Sequence, residues 1–195
     1  SGKNSDLIIF FCKTEKGVGS KGISAFIIEK DTPGLTTGKK EEKLGIRASD
    51  TCELYFDNCE IPESNLIGNL GQGFSIAMQA LGGGRIGIAS QSVGLARAAL
   101  DKTISYAQER EQFGKIIAKF GAIQNKIADM ATNIEAARLL VMQAAMLKDQ
   151  GKEYIKESSM AKLFASSTAM SAATECVQVH GGYGYMQEYL SLIHI

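Results

Sequence analysis

The run from Gly71 to Gly114 constrains the chain most, because it reads as one long helix closed by a sharp loop. Val93, Ala96, Leu100, Ile104 and Ala107 recur at steps of three and four, which places them on one helical face. The first half of the run is apolar nearly all round (Phe74, Ile76, Met78, Leu81, Ile86, Ile88), which predicts burial on several sides. Three consecutive glycines, Gly82, Gly83 and Gly84, interrupt it, each costing a helix about 1 kcal/mol relative to alanine. A helix tolerates that where a ligand or another backbone comes close. Arg85 follows at once, a permanent cation in apolar surroundings. The stretch is therefore read as a site as well as a scaffold.

The text before Pro62 is β: LIIFFC and ISAFIIE are runs of β-branched and aromatic residues, and TCELYFDNCEIP alternates apolar with polar. Pro62 and the loop ESNLIGNLGQG close that segment, and nothing from Gly73 onward reads as strand. Gly17, Gly19 and Gly22 match GxGxxG, but ISAFII follows them, so a hairpin turn is predicted and no nicotinamide site. Two more helices come after the first. One carries Ile123, Ile127, Met130, Ile134, Ala137, Val141 and Ala144; the other carries Met160, Leu163, Ser167, Met170, Thr174 and Val177, with a turn at Asp149–Gly151 between them. Their alternating steps of four and three are those of bundle packing. A strand block followed by a helix block argues for α+β or two domains.

With 21 basic and 21 acidic side chains the formal charge is zero, so there is no field to attract nucleic acid or an anionic membrane. No window of about 20 residues is free of charges as a spanning helix requires. Cys12, Cys52, Cys59 and Cys176 lack CxxC spacing and read as free buried thiols; with only His180 and His194, no metal site is expected.

Taken together and in order, KLGIRASDTCELYFDNCEIP, LGGGR, REQFG, EAARLL, KESSMAK and QVHGGYGY resemble the acyl-CoA dehydrogenases, flavoenzymes that desaturate acyl-CoA thioesters. The resemblance spans about Leu7 to Tyr189. It implies part of a middle β-barrel domain over residues 1–62 and a C-terminal up-down helical bundle over 63–189. Both ends read as cut, and LSLIHI at 190–195 matches an adapter-encoded, non-native tail, so His194 is not interpreted.

The resemblance also implies roles. Arg110, read alone as a solvated helix-end arginine, would reach the pyrophosphate of FAD in a neighbouring subunit, where a guanidinium binds phosphate oxygens bidentately. Phe113 would pack beside that cofactor. Gly181 and Gly182, read alone as a helix C-cap, would let bare backbone N–H groups approach the ADP part, with Gln178, Val179 and His180 on the same wall. Gly82, Gly83, Gly84 and Arg85 would meet the CoA-thioester substrate.

Three departures matter. Many members carry an acidic or amide side chain where this chain has Gly82, which removes one hydrogen bond to the pantetheine arm. Some carry their catalytic glutamate where this chain has Gly84, so the base is expected after Tyr189 and no catalytic residue is assigned. Gly121 stands where a flavin-bonding glutamine is usual, and Gln124 replaces it only in part. The implied activity is α,β-dehydrogenation of a short or short-branched acyl-CoA, with electrons passed to electron-transferring flavoprotein by a homotetramer, in a bacterial cytoplasm or the mitochondrial matrix. The 195-residue chain alone is expected to be inactive. An acyl-CoA oxidase and a non-catalytic helical interaction domain are the alternatives.

Overall fold

The computed structural model describes residues 1–186, so the tail at 190–195 lies outside the described residues. The fold is α+β. Five strands come first: β1 (Leu7–Lys13), β2 (Ile23–Glu29), β3 (Leu35–Thr37), β4 (Leu54–Phe56) and β5 (Leu66–Ile67). Then come α1 (Gly73–Glu109), β6 (Glu111–Gln112), β7 (Lys115–Ile116), α2 (Gly121–Asp149) and α3 (Ile155–His180). Tertiary contacts divide the chain between Ala80 and Leu81, and each unit is described by itself.

In the first unit, β1, β2 and β5 form an antiparallel sheet and β3 pairs with β4. No barrel closes among the described residues. Phe10 and Phe56 pack their rings 4.3 Å apart, joining the two sheets. The β1–β2 pair turns neighbouring residues to opposite faces: Ile28 is buried, while Ile9 and its cross-strand partner Ile27 face outward and stay exposed. The Gly17–Gly22 stretch is the connection between β1 and β2, as its context predicts; a Cβ on Gly22 would lie 2.1 Å from the Glu15 carbonyl oxygen. Buried Ser24 joins the segments: its hydroxyl pairs with Thr14 and accepts the Gly71 N–H at 2.9 Å. Asp50 accepts the backbone N–H of Lys3 at 2.7 Å, which holds its carboxyl below the usual range.

Three β expectations change. The TCELYFDNCEIP strand shrinks to Leu54–Phe56, and the loop after Pro62 contributes β5, which pairs with β2. Nor is the chain strand-free after Gly73: β6 and β7 make a minimal hairpin around Phe113–Gly114. Its two turn residues have φ of 52° and 78°, the sign a tight hairpin needs at both positions. Such a hairpin is fixed by turn geometry, so no alternating pattern announced it.

The second unit is helical. Ala89, Ala96, Ala99 and Ala107 of α1 face Met130, Ile134, Ala137, Val141 and Ala144 of α2, and α3 closes the core. The α2 face is the expected one. The α3 face is not: its buried residues are Ser158, Ala161, Ala165, Thr168, Ala172, Cys176 and Val179, whereas Leu163 and Met170 are 69% and 64% exposed. Small side chains let helices approach closely, so the small-residue stripe, offset from the large one, turned inward. The burial on several sides expected for the apolar first half of α1 is not observed: Phe74 and Met78 in the first unit, and Leu81 and Ile88 in the second, are exposed. Of the four free thiols only Cys176 is buried; the other three sit half-buried. Lys126 and Glu175 pair across α2 and α3, while Glu135 and Arg138 pair along α2 at 2.6 Å. No described helix is long and apolar enough to cross a membrane.

Candidate functional site

The end of α1 and the end of α3 meet in the second unit around a cleft of about 500 Å³. Arg110, the residue that follows α1, lines it. Its N–H donates to the Tyr106 carbonyl at 2.9 Å, and its own carbonyl accepts the Ile117 N–H at 2.8 Å, so its backbone is held on both sides. The guanidinium lies 5.2 Å from the centre of the Tyr183 ring, a cation–π distance that leaves its edge donors available.

The opposite wall is the C-terminus of α3. His180, 5% exposed, donates from Nδ1 to the Cys176 carbonyl at 2.7 Å. The Cys176 thiol below it is pushed up by burial, with the Thr103 hydrogen bond opposing, which keeps it protonated and inert. Gly181 follows with φ 58° and ψ −130°, a conformation of tight turns that glycine takes without steric penalty. Its N–H donates to the Gln178 and Val177 carbonyls, so it caps the helix and is not a free donor. A Cβ added at Gly182 would meet nothing within 4 Å.

The sequence-predicted cofactor residues therefore divide. Arg110, Val179, His180, Gly181 and Gly182 line one cleft; Gln178 is exposed and outside its lining, and Phe113 is 92% exposed at the hairpin tip, edge-on to Phe120 at 6.2 Å. Tyr106, Gln112, Ile117, Tyr183 and Met186 complete the lining. Tyr106 stands one helical turn before Arg110, a spacing that could have found it. Gln124 turns its side-chain amide back onto the Ala118 carbonyl at 3.0 Å.

The predicted substrate residues lie elsewhere on α1 and do not share one environment. Gly82 is buried, and a Cβ there would sit 2.6 Å from Ile155 Cδ1; at Gly83 it would sit 3.1 Å from Lys148 Nζ. Gly84 faces open space, and Arg85 is half-buried.

Both helices end here with the negative ends of their dipoles, which disfavours phosphate by itself. A phosphate bound here would need a cation beside it, and Arg110 is one, next to the Gly181–Gly182 backbone and the Tyr106, His180 and Tyr183 rings.

Residues 1–59 match the family model for the acyl-CoA dehydrogenase middle domain, and residues 71–194 match that for the acyl-CoA dehydrogenase C-terminal domain. An acyl-CoA dehydrogenase of Bacillus subtilis (strain 168) is 54% identical over 189 residues, covering 97% of this chain and 50% of that protein. Butyryl-CoA dehydrogenase from Megasphaera elsdenii superposes with a TM-score of 0.94 at 49% identity, covering 96% of this chain and 49% of that one. A chain from structural work on the electron transferring flavoprotein of Acidaminococcus fermentans also gives a TM-score of 0.94, at 53% identity, covering 96% of this chain and 50% of the other. The chain spans about half the length of the curated relatives it matches.

Proposed function

The chain belongs to the acyl-CoA dehydrogenase family, and from that premise we propose that the protein binds FAD and dehydrogenates a short or short-branched acyl-CoA thioester. The observation that carries the proposal is the meeting of Arg110 with the Gly181–Gly182 turn in one cleft of a single chain. In this reading the Arg110 guanidinium binds the pyrophosphate, and Val179, His180 and Gly182 lie along the ADP part. One protomer supplies all of them to a flavin bound mainly by its neighbour, with Phe113 and Gln178 beside it. FAD, when bound, supplies the electron acceptor for the β-hydrogen.

Gly82 to Arg85 are proposed to border the acyl-CoA. The small residues let the thioester approach α1, and Arg85 offers a fixed charge. Gly84 carries no side chain, so the base that removes the α-proton is proposed to lie outside the described residues. Electron-transferring flavoprotein is the proposed acceptor and a homotetramer the proposed assembly, in a bacterial cytoplasm or the mitochondrial matrix. The related Acidaminococcus chain supports the acceptor, and the butyryl-CoA dehydrogenase supports a short acyl group. We also propose 1–62 and 63–189 as the two domains, in keeping with family matches ending at 59 and beginning at 71.

The test is a purified full-length protein assayed against butyryl-, isovaleryl- and 2-methylbutyryl-CoA with an artificial electron acceptor. A flavin spectrum and turnover of at least one thioester are expected. A colourless protein that takes up no added FAD would overturn the reading.

A further inference from the structure

We propose that Tyr106 is a positioning residue that holds the two walls of the cofactor cleft together, an inference resting on the FAD reading above. Its backbone belongs to one wall: the Tyr106 carbonyl accepts the N–H of Arg110. Its side chain belongs to the other: the phenol ring stacks on the His180 ring, centroids 4.2 Å apart and planes 19° from parallel. The Tyr106 hydroxyl donates to the His180 carbonyl at 3.3 Å, across 74 residues of sequence.

That carbonyl lies at the C-terminal end of α3 and opens the 3-10 turn Gly181–Tyr185 that follows. The Tyr106 hydroxyl and ring tie the residue immediately before Gly181 to α1. The cation and the glycine turn are thereby set at one separation before any ligand arrives. Preorganisation of this kind raises affinity by reducing the ordering that binding must impose.

The test is FAD affinity, by quenching of flavin fluorescence, for full-length wild type, Tyr106→Phe, Tyr106→Leu and Arg110→Ala, with apoprotein melting measured alongside. Tyr106→Phe keeps the ring stack and deletes the hydroxyl. A bond of 3.3 Å is long for a hydroxyl, so the loss falls near the low end for a single hydrogen bond, about threefold in Kd. Tyr106→Leu removes the stack as well and is expected to weaken FAD about tenfold or more. The expected pattern is a rise in Kd for the phenylalanine variant with unchanged apoprotein melting, and a larger rise for leucine that phenylalanine largely rescues. Should Tyr106→Leu fail to fold, Tyr106→Phe decides alone. A Tyr106→Phe affinity equal to wild type, while Arg110→Ala weakens binding, would overturn the role of Tyr106 and leave the FAD reading standing. Affinity lost only in step with apoprotein melting would overturn it too. A wild type that takes up no FAD would overturn the FAD reading itself.

Discussion

Two glycine clusters look alike in the sequence and differ in the fold. Gly181 is a backbone requirement: φ 58° with ψ −130° caps α3, and its neighbour Gly182 borders open space in a cleft. Gly82 to Gly84 sit in ordinary helix, where their φ values require no glycine. What distinguishes them is what a side chain would meet: Ile155 at Gly82, Lys148 at Gly83, and nothing at Gly84. A run of small residues is thus three statements, two about packing and one about space. At the end of α3 it is one statement about conformation and one about space.

The largest expected effect tests the α3 side through its cation. Arg110→Ala in the full-length protein should weaken FAD by about ten- to a hundredfold, since a hydrogen bond to a charged group contributes about 1.5–3 kcal/mol. Arg110→Lys should recover only part, because an ammonium lacks the bidentate fork. Titration with FAD, and sizing to confirm an unchanged assembly, checks both. Equal affinity in all three proteins would remove the cleft from the cofactor and leave the Gly181 turn as a cap alone.

Next in size, Gly181→Ala should lower apoprotein stability by about 1–2 kcal/mol, the penalty for an L-residue in left-handed space. Gly182→Val should instead lower flavin content with little change in apoprotein melting, because its side chain enters the cleft. Thermal melts of apo and FAD-loaded proteins separate the two. If both variants lose stability equally, the turn is one structural unit and the division drawn within it is wrong.

The sequence made some of this legible and not the rest, for physical reasons. The α2 core could be read because large apolar residues, Met130, Ile134 and Val141, lie on its buried stripe. On α3 the size signal pointed the other way: Met160, Leu163 and Met170 keep the period but face outward, and the true seam is alanine, serine, threonine and cysteine. Periodicity reports that a helix has faces; it does not say which face its neighbour needs. Within the site, Arg110 and Gly181–Gly182 could be read because their motifs are local. Tyr106 was missed because its partner, His180, lies 74 residues away, and no local pattern encodes that stack. Phe113 carries a positive φ that only the closed hairpin makes necessary.

The packing side of the comparison is tested by Gly82→Ala. An added methyl gains about 1 kcal/mol of helix propensity. Against that, it must displace Ile155 Cδ1 from 2.6 Å, and overpacking typically costs about 1–3 kcal/mol. Ile155 is 39% exposed and can swing its tip away, so the cost sits at the low end. The two nearly cancel, so the net change in apoprotein stability should lie within about 1 kcal/mol of zero. A clear gain in melting temperature would show that Gly82 is not held by packing, and would return it to the substrate.

The smallest effect is also the one that separates space from packing most cleanly. At Gly84 an added Cβ meets nothing within 4 Å, so Gly84→Ala should stabilise the apoprotein by about 0.5–1 kcal/mol through helix propensity and a less disordered unfolded chain. A residue that weakens its own helix without a packing reason needs another reason, and the proposed one is a thioester lying against α1. If that is so, the same methyl that stabilises the apoprotein should raise KM for butyryl-CoA several-fold while FAD affinity stays at its wild-type value. Melting, FAD titration and steady-state kinetics on one variant give the three readings together. Stabilisation with unchanged KM would mean that nothing approaches this face of the helix. Gly82 and Gly83 would then be fully described by Ile155 and Lys148, and the acyl-CoA would have to be sought on another face of the molecule.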